Sequence, residues 1–366
     1  MSSFKKMFPL YYRETFPKNM RFGIEDREIM FRSKKTTGKM KKVLLILTLC
    51  SVLFHAKAQK NVNFSGEIKN FNSAELIYLG LDGFLLPLKV VENGTFSVNG
   101  NIPQTPSFVY LAKISKRGKI EKQTPLIWFE GDSLNLTLDW VDKSFEVLDF
   151  SPFQSISEHI ETLEGKSQIE FILKNPNSIP SLYFAEMNKE NMSISDLKIF
   201  SQEVSEENKQ TIYYKRIENY LSAKNRKALK KGQKVEDFKL PNKEGKQVSV
   251  INGNTNKRII SLFSSGCVFS IASIDILEQL SEMNNDNIEL ITIWEDPTKE
   301  TWLNAYQDNK EKITWTNLWD EYGFASTYLN RTMWPMFYVI NEEGQLTEII
   351  KGYNKKSAKK LKKIVE

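Results

Sequence analysis

Few residues in this chain can do covalent chemistry. Its 366 residues include two cysteines, Cys50 and Cys267, and two histidines, His55 and His159. Cys50 and His55 lie in a stretch that reads as a removable leader, which leaves one thiol and one imidazole. A single cysteine forbids an intramolecular disulfide, and one Cys with one His cannot build a structural zinc site. No P-loop and no G-x-G-x-x-G run occurs, so no nucleotide cofactor is indicated. No metal or other cofactor is expected either. The remaining chemistry is that of one sulfur, unless His159 reaches it from another part of the chain to form a Cys–His dyad.

The elements around Cys267 favour a reactive position. Ile259 to Phe263 reads as a short strand buried on both faces. Ser264-Ser265-Gly266 is a tight turn, and a helix opens at Cys267. Apolar residues at Ile271, Ile274, Ile276, Leu277 and Leu280 give that helix one buried face. A cysteine in a first helical turn meets unpaired N–H groups and the positive end of the dipole, surroundings that stabilise a thiolate. The plainer alternative is a small buried cysteine that packs a strand end.

The net charge of +6 misleads. Met40-Lys41-Lys42, the apolar run Val43 to Phe54 and Ala56-Lys57-Ala58 read as the three parts of a secretory signal peptide. The apolar run is too short for a comfortable membrane span. Residues 1–39 look like an upstream mis-assigned start, with Met40 as the true one. Residues 1–58 hold 13 Lys and Arg against 4 Asp and Glu, a net +9, so +6 less +9 leaves −3 for the rest. Nucleic-acid binding thereby loses its main support. Leu49 precedes Cys50 where a lipid-anchor signal wants a small residue, so no lipid anchor is expected. The expected location is the periplasm or cell envelope.

Three units follow the leader. Residues 59–150 read as a β-rich, antiparallel sandwich-like or barrel domain, with strands over 63–68, 75–81, 85–91, 95–98, 108–114, 126–129 and 133–139. Val91 to Phe96 is the best hairpin, with Asn93-Gly94 supplying a type I′ turn. Phe84, Tyr110 and Trp128 are either exposed for a partner or, more simply, core. Residues 151–231 read as a helical connector broken at Asn175 to Ser178, with Ser193 and Asp196 as a capping pair and a long helix over 206–230 that ends in a basic tract. Residues 232–366 follow the order β-α-β-α-β-β-α, which implies a mixed sheet with helices on both faces. Glu295 and Asp296 end a buried strand. They either assist proton transfer or, more simply, are surface acids.

The third unit resembles the thioredoxin fold, specifically the periplasmic TlpA/ResA-like thiol–disulfide oxidoreductases. Four pieces carry the resemblance: the opening segment Gly232 to Leu240, Cys267-Val268-Phe269-Ser270 at the place of C-x-x-C, Trp334-Pro335 at the place of the cis-proline, and the turn Asn341 to Gly344. The β-rich unit followed by helices is similar to an N-terminal region that precedes such domains in some Gram-negative bacteria. The resemblance implies Cys267 as attacking thiol and Gly266, Trp334 and Pro335 as substrate-binding positions. It implies protein or low-molecular-weight thiols and disulfides as partners, including an envelope protein. Two departures stand out: Gly266 replaces the family's Trp, and Ser270 replaces the second Cys. Ser270 can hydrogen-bond the Cys267 thiolate but cannot resolve a mixed disulfide. Three functions are consistent with this: a monothiol oxidoreductase, a redox-inactive peptide- or protein-binding module, and a one-cysteine peroxidase with Ser264 at the usual Thr position.

Overall fold

The computed structural model describes residues 60–71, 77–81, 84–88, 93–102, 104–115, 120–147, 151–251, 257–283 and 288–365. The expected leader, the expected start at Met40 and Cys50 all lie outside the described residues.

Among the described residues nine strands come first: β1 (Lys60–Lys69), β2 (Ile77–Leu81), β3 (Phe84–Leu88), β4 (Thr95–Ile102), β5 (Ser107–Ile114), β6 (Ile120–Gln123), β7 (Ile127–Phe129), β8 (Ser133–Asp139) and β9 (Phe145–Val147). They form two sheets. One has the order β4-β1-β8-β9; the other has the order β3-β2-β5-β6, with β7 also paired to β5. The period-2 pattern expected of half-buried strands is plain in β8, where Leu134, Leu136 and Leu138 face inward. Both sheets contribute to one apolar cluster, through Val62, Phe64, Leu79, Val109, Leu111 and Leu136 among others.

Two expectations fail here. The ladder is not wholly antiparallel, because β1 pairs with β8 in parallel. The Asn93-Gly94 hairpin is not found among the described residues, which leave out Val91 and Glu92: β3 and β4 belong to different sheets, and β4 pairs with β1. Gly94 has φ 83°. Asn93 instead accepts hydrogen bonds from the Thr95 N–H and hydroxyl at 3.2 and 2.8 Å. The Asn side chain caps a strand start rather than closing a hairpin.

Strand β5 is buried on both faces, and its alternation divides two cores. Val109 and Leu111 face the sheet cluster, whereas Phe108, Tyr110 and Ala112 face a second cluster built with the helices. Tyr110 and Trp128 are core residues, as the simpler reading expects. The helices are α1 (Phe153–Thr162), α2 (Gly165–Lys174), α3 (Ile179–Asn188), α4 (Ile194–Glu203) and α5 (Ile212–Asn225). Trp128 meets Phe108, Phe153, Tyr183 and Tyr213 at ring separations of 5.4–6.5 Å. Gln154 of α1 accepts from the Trp128 N–H at 2.9 Å and donates to the Leu126 carbonyl at 3.0 Å, which satisfies a sheet edge that would otherwise be buried unpaired. Ser193 caps α4 by accepting from Asp196 N–H at 3.0 Å. The long helix stops at Asn225, not 230, and the basic tract beyond it is irregular. In that tract Arg226 lies over the rings of Phe324 and Tyr328 at 4.9 and 5.0 Å.

The last part contains β10 (Lys239–Pro241), β11 (Gln247–Ser249), β12 (Lys257–Phe263), α6 (Val268–Ala272), α7 (Ile274–Met283), β13 (Ile288–Trp294), α8 (Lys299–Asp308), β14 (Thr316–Trp319), α9 (Phe324–Tyr328), β15 (Met336–Ile340), β16 (Leu346–Lys351) and α10 (Lys355–Val365). Five of these strands form a mixed sheet of order β14-β13-β12-β15-β16. Strands β12, β13 and β14 run parallel, and β15 and β16 are antiparallel additions. Ile260, Leu262, Ile291 and Ile293 fill one face with Phe238 and Tyr328. Ile259, Phe263, Leu290 and Trp294 fill the other with α7, α8 and α10. This is the thioredoxin-like arrangement that the resemblance implies. One detail differs: the single helix expected from Cys267 is two, α6 and α7. They part at Ser273, whose N–H is shared between the Phe269 and Ser270 carbonyls at 3.1 Å each.

Candidate active site

The three parallel strands end in register, with Phe263 beside Trp294 and Trp294 beside Trp319. The residues that follow, Ser264, Glu295 and Asp320, therefore stand in a row at the carboxyl edge of the sheet. Two backbone bonds extend the ladder there, Glu295 N–H to Phe263 O at 2.9 Å and Asp320 N–H to Trp294 O at 2.8 Å. Such an edge is where open α/β sheets place their sites.

Cys267 is the N-cap of α6 and is half-buried. Its N–H closes the turn by donating to the Ser264 carbonyl at 3.1 Å. Its sulfur donates to the Trp334 carbonyl at 3.5 Å, a contact that requires the thiol proton. The Trp334–Pro335 bond is cis. Cys267, Trp334 and Pro335 thus come together, although 67 residues separate the first two. Gly266 is exposed at the mouth, with open space around its Cα apart from the Ser264 hydroxyl. Val268, Phe269 and Met333 are exposed at 44, 47 and 44%.

Ser270 differs from expectation. It is fully buried, and its hydroxyl accepts from the Ser264 N–H at 3.4 Å, so it braces the turn rather than the sulfur. His159 does not join the site: it sits at the end of α1 against the Phe171 ring, 4.7 Å between centroids.

The acids beside the site are not surface groups. Glu295, Asp296 and Asp320 are 7, 3 and 3% exposed. Asp296 Oδ1 accepts from the Ser265 N–H at 2.9 Å, the Ser265 hydroxyl at 2.7 Å and the Ser264 hydroxyl at 3.5 Å. Glu295 Oε2 pairs with Arg331 Nε at 2.7 Å and accepts from the Trp334 indole N–H. The Arg331 guanidinium also lies over the Trp334 ring at 4.2 Å. Asp320 Oδ2 accepts from the Ser326 N–H at 2.9 Å. Burial pushes the Glu295 carboxyl up to about 7; the Arg331 charge opposes this and the Asp320 charge adds to it. Burial likewise raises Asp296 to about 6, against its bonds from Ser265 and Ser264. It raises Asp320 to about 6, against backbone N–H groups of α9 and the Arg331 charge.

Asp320 and Arg331 were not singled out from the sequence. A usable signal was present: Trp294-Glu295 and Trp319-Asp320 both end a parallel strand with Trp followed by an acid. Among the described residues no group of His, Cys, Asp and Glu could hold a metal ion, and no helix is long and apolar enough to cross a membrane.

No family model and no curated protein matches the chain. Solved structures match its C-terminal part. A putative thiol:disulfide interchange protein DsbE from Chlorobium tepidum shares 18% identity over 37% of this chain and 94% of its own, with a TM-score of 0.34. StoA from Bacillus subtilis shares 19% over 36% and 97%, with a TM-score of 0.32. A secreted Mycobacterium tuberculosis disulfide oxidoreductase shares 17% over 35% and 93%, with a TM-score of 0.31. These thioredoxin-fold neighbours cover little more than a third of the chain.

Proposed function

We propose that this protein carries out thiol–disulfide exchange in the periplasm or cell envelope, with Cys267 as its lone nucleophile. The observation that carries this reading is the half-buried Cys267 sulfur facing the Trp334 carbonyl at the carboxyl edge of the sheet. The Cys267 thiolate attacks a partner disulfide. The partner's S–S bond breaks, a mixed disulfide forms at Cys267, and the partner's second sulfur leaves as a thiolate and takes up a proton. Ser270 cannot attack that bond, so an outside thiol completes the exchange. Gly266, Trp334 and Pro335 border the sulfur and serve as substrate-binding positions. On this reading residues 59–150 form a sandwich-like domain, 151–231 a helical connector and 232–366 the reactive domain.

The test is capture from an envelope extract under non-reducing conditions. Wild type is expected to yield reductant-sensitive adducts that Cys267→Ala does not. Equal recovery with both would overturn the reading. The exposed Val268, Phe269 and Met333 favour a second reading, a module that binds partners without exchange. In that case Cys267→Ser keeps the partner, and nothing captured is covalent.

A further inference from the structure

Consecutive residues Glu295 and Asp296 grip opposite walls of the cysteine site. Asp296 accepts three bonds from Ser264 and Ser265, the turn that carries Cys267. The Cys267 N–H is bonded back into the same turn at Ser264. Glu295 takes the other wall: it holds the indole of Trp334 and the guanidinium of Arg331. The Trp334 carbonyl is the hydrogen-bond partner of the Cys267 sulfur. Adjacent residues at a strand end move as one unit, so the gap between the two walls depends on both grips.

We propose that Glu295 and Asp296 are positioning residues with opposite effects on Cys267: Asp296 holds the sulfur in its reactive place, and Glu295 holds Trp334 against it. The proposal rests on the reading of Cys267 as the nucleophile. Weakening the Asp296 grip loosens the turn and slows attack. Weakening the Glu295 grip frees Trp334, uncovers the sulfur and speeds attack. Release is partial, because Pro335 is also held from the other side by the Gly352 N–H at 2.8 Å. The groups that face the pair are Asp320 before α9, Arg331 before β15 and Tyr338 on β15. Each acid keeps one buried oxygen with no protein partner, Glu295 Oε1 and Asp296 Oδ2. A proton can settle on that oxygen without breaking the bonds made by the other, so it weakens each grip without abolishing it.

The experiment uses the full chain carrying Cys50→Ser, which leaves Cys267 as its only thiol. Reaction with 4,4′-dithiodipyridine is followed by release of the pyridine thione. Its S–S bond breaks as the Cys267–S–S bond forms. At neutral pH, Asp296→Asn is expected to slow the reaction about fivefold and Glu295→Gln to speed it about fivefold, about 1 kcal/mol each way. General loosening of the fold would move both variants in one direction. A same-direction change, or no change beyond about twofold, would overturn the proposal.

The Cys50→Ser chain with both acids intact supplies an independent test if a variant fails to fold. Its rate is divided by the ionised fraction of the sulfur, read from ultraviolet absorbance. The quotient is expected to rise as Asp296 ionises near about 6 and fall as Glu295 ionises near about 7. A flat quotient overturns the proposal. Because the reagent is a small synthetic disulfide, the split between variants stands or falls whether or not any envelope protein is captured.

Discussion

Replacing Asp320 with Asn should make the protein more stable at neutral pH, and the gain should vanish in acid. Asp320 is 3% exposed, and burial lifts its carboxyl from an ordinary 3.8 to about 6. Between those values the folded chain holds a proton that the unfolded chain has lost. The unfolded state therefore binds fewer protons, and stability falls as pH rises through that window, then levels off. At about 1.36 kcal/mol per pH unit, the difference of about two units corresponds to about 3 kcal/mol. Asparagine has no proton to lose, and its side-chain oxygen can keep the bond from the Ser326 N–H. Any cost of burying its amide is the same at every pH and cancels in the comparison. The Asp320 charge also raises Glu295, so removing it adds in the same direction. The assay is urea unfolding by tryptophan fluorescence at several pH values. Five of the seven tryptophans, Trp294, Trp302, Trp315, Trp319 and Trp334, lie in the last unit, so the signal reports on it. The variant's advantage should grow by about 3 kcal/mol from acid to neutral pH. Parallel stability curves would refute the reasoning, as would a variant that loses ground as pH rises.

Two further changes test the site and the β-rich part. Ser270→Cys places a second thiol three residues after Cys267 at a fully buried position. Mild oxidation should then remove both thiols from titration and release adducts held at Cys267, whereas two thiols that stay titratable would count against the proposed geometry. Gly80→Ala would put a Cβ 2.1 Å from the ring of Tyr110, itself 4% exposed. Overpacking there should cost about 1–3 kcal/mol, read as a lowered thermal midpoint. An unchanged midpoint would mean that the Tyr110 ring yields freely.

The last unit was legible because its signals are local. Strands buried on both faces read as apolar runs, and β12, β13 and β15 each lie within a residue or two of where the run predicts. The break at Ser273 was not legible, since Ile271 to Leu280 keep a helical spacing straight through it. The β-rich part shows the reverse. Its strands were mostly found, but their partners were not. Asn93-Gly94 carries the strongest short-range hairpin signal in the chain, yet β4 pairs with β1 across the molecule. Strand pairing is non-local, and a dipeptide does not encode which sheet receives a strand. The acids were misjudged for a similar reason. Glu295 and Asp296 follow a strand and precede Pro297, a pattern that reads as a surface turn. Glu295 is enclosed by Arg331 and Trp334, and Asp296 by the Ser264-Ser265 turn, all arriving from about thirty residues away or more.

On the proposed reading, Gly266 and Ser270 act on different steps and together make Cys267 a slow-release site. Gly266 adds no side chain of its own beside Trp334 at the mouth, and on that reading the exposed Val268, Phe269 and Met333 favour a large apolar partner over a small charged thiol. Ser270 is not simply a missing sulfur: its hydroxyl accepts from the Ser264 N–H and braces the turn that Asp296 also holds. A thiol is a weaker acceptor there. With Cys267 as the proposed nucleophile, Ser270 offers no intramolecular exit for a mixed disulfide but seats the turn beneath it more firmly. On the proposed reading, the lifetime of an adduct at Cys267 is then set by the concentration and reach of an outside thiol. Turnover should rise in proportion to that thiol while formation of the adduct does not change. A rate of release independent of added thiol would place the resolving group within the chain, which has no second cysteine after residue 58 to supply it.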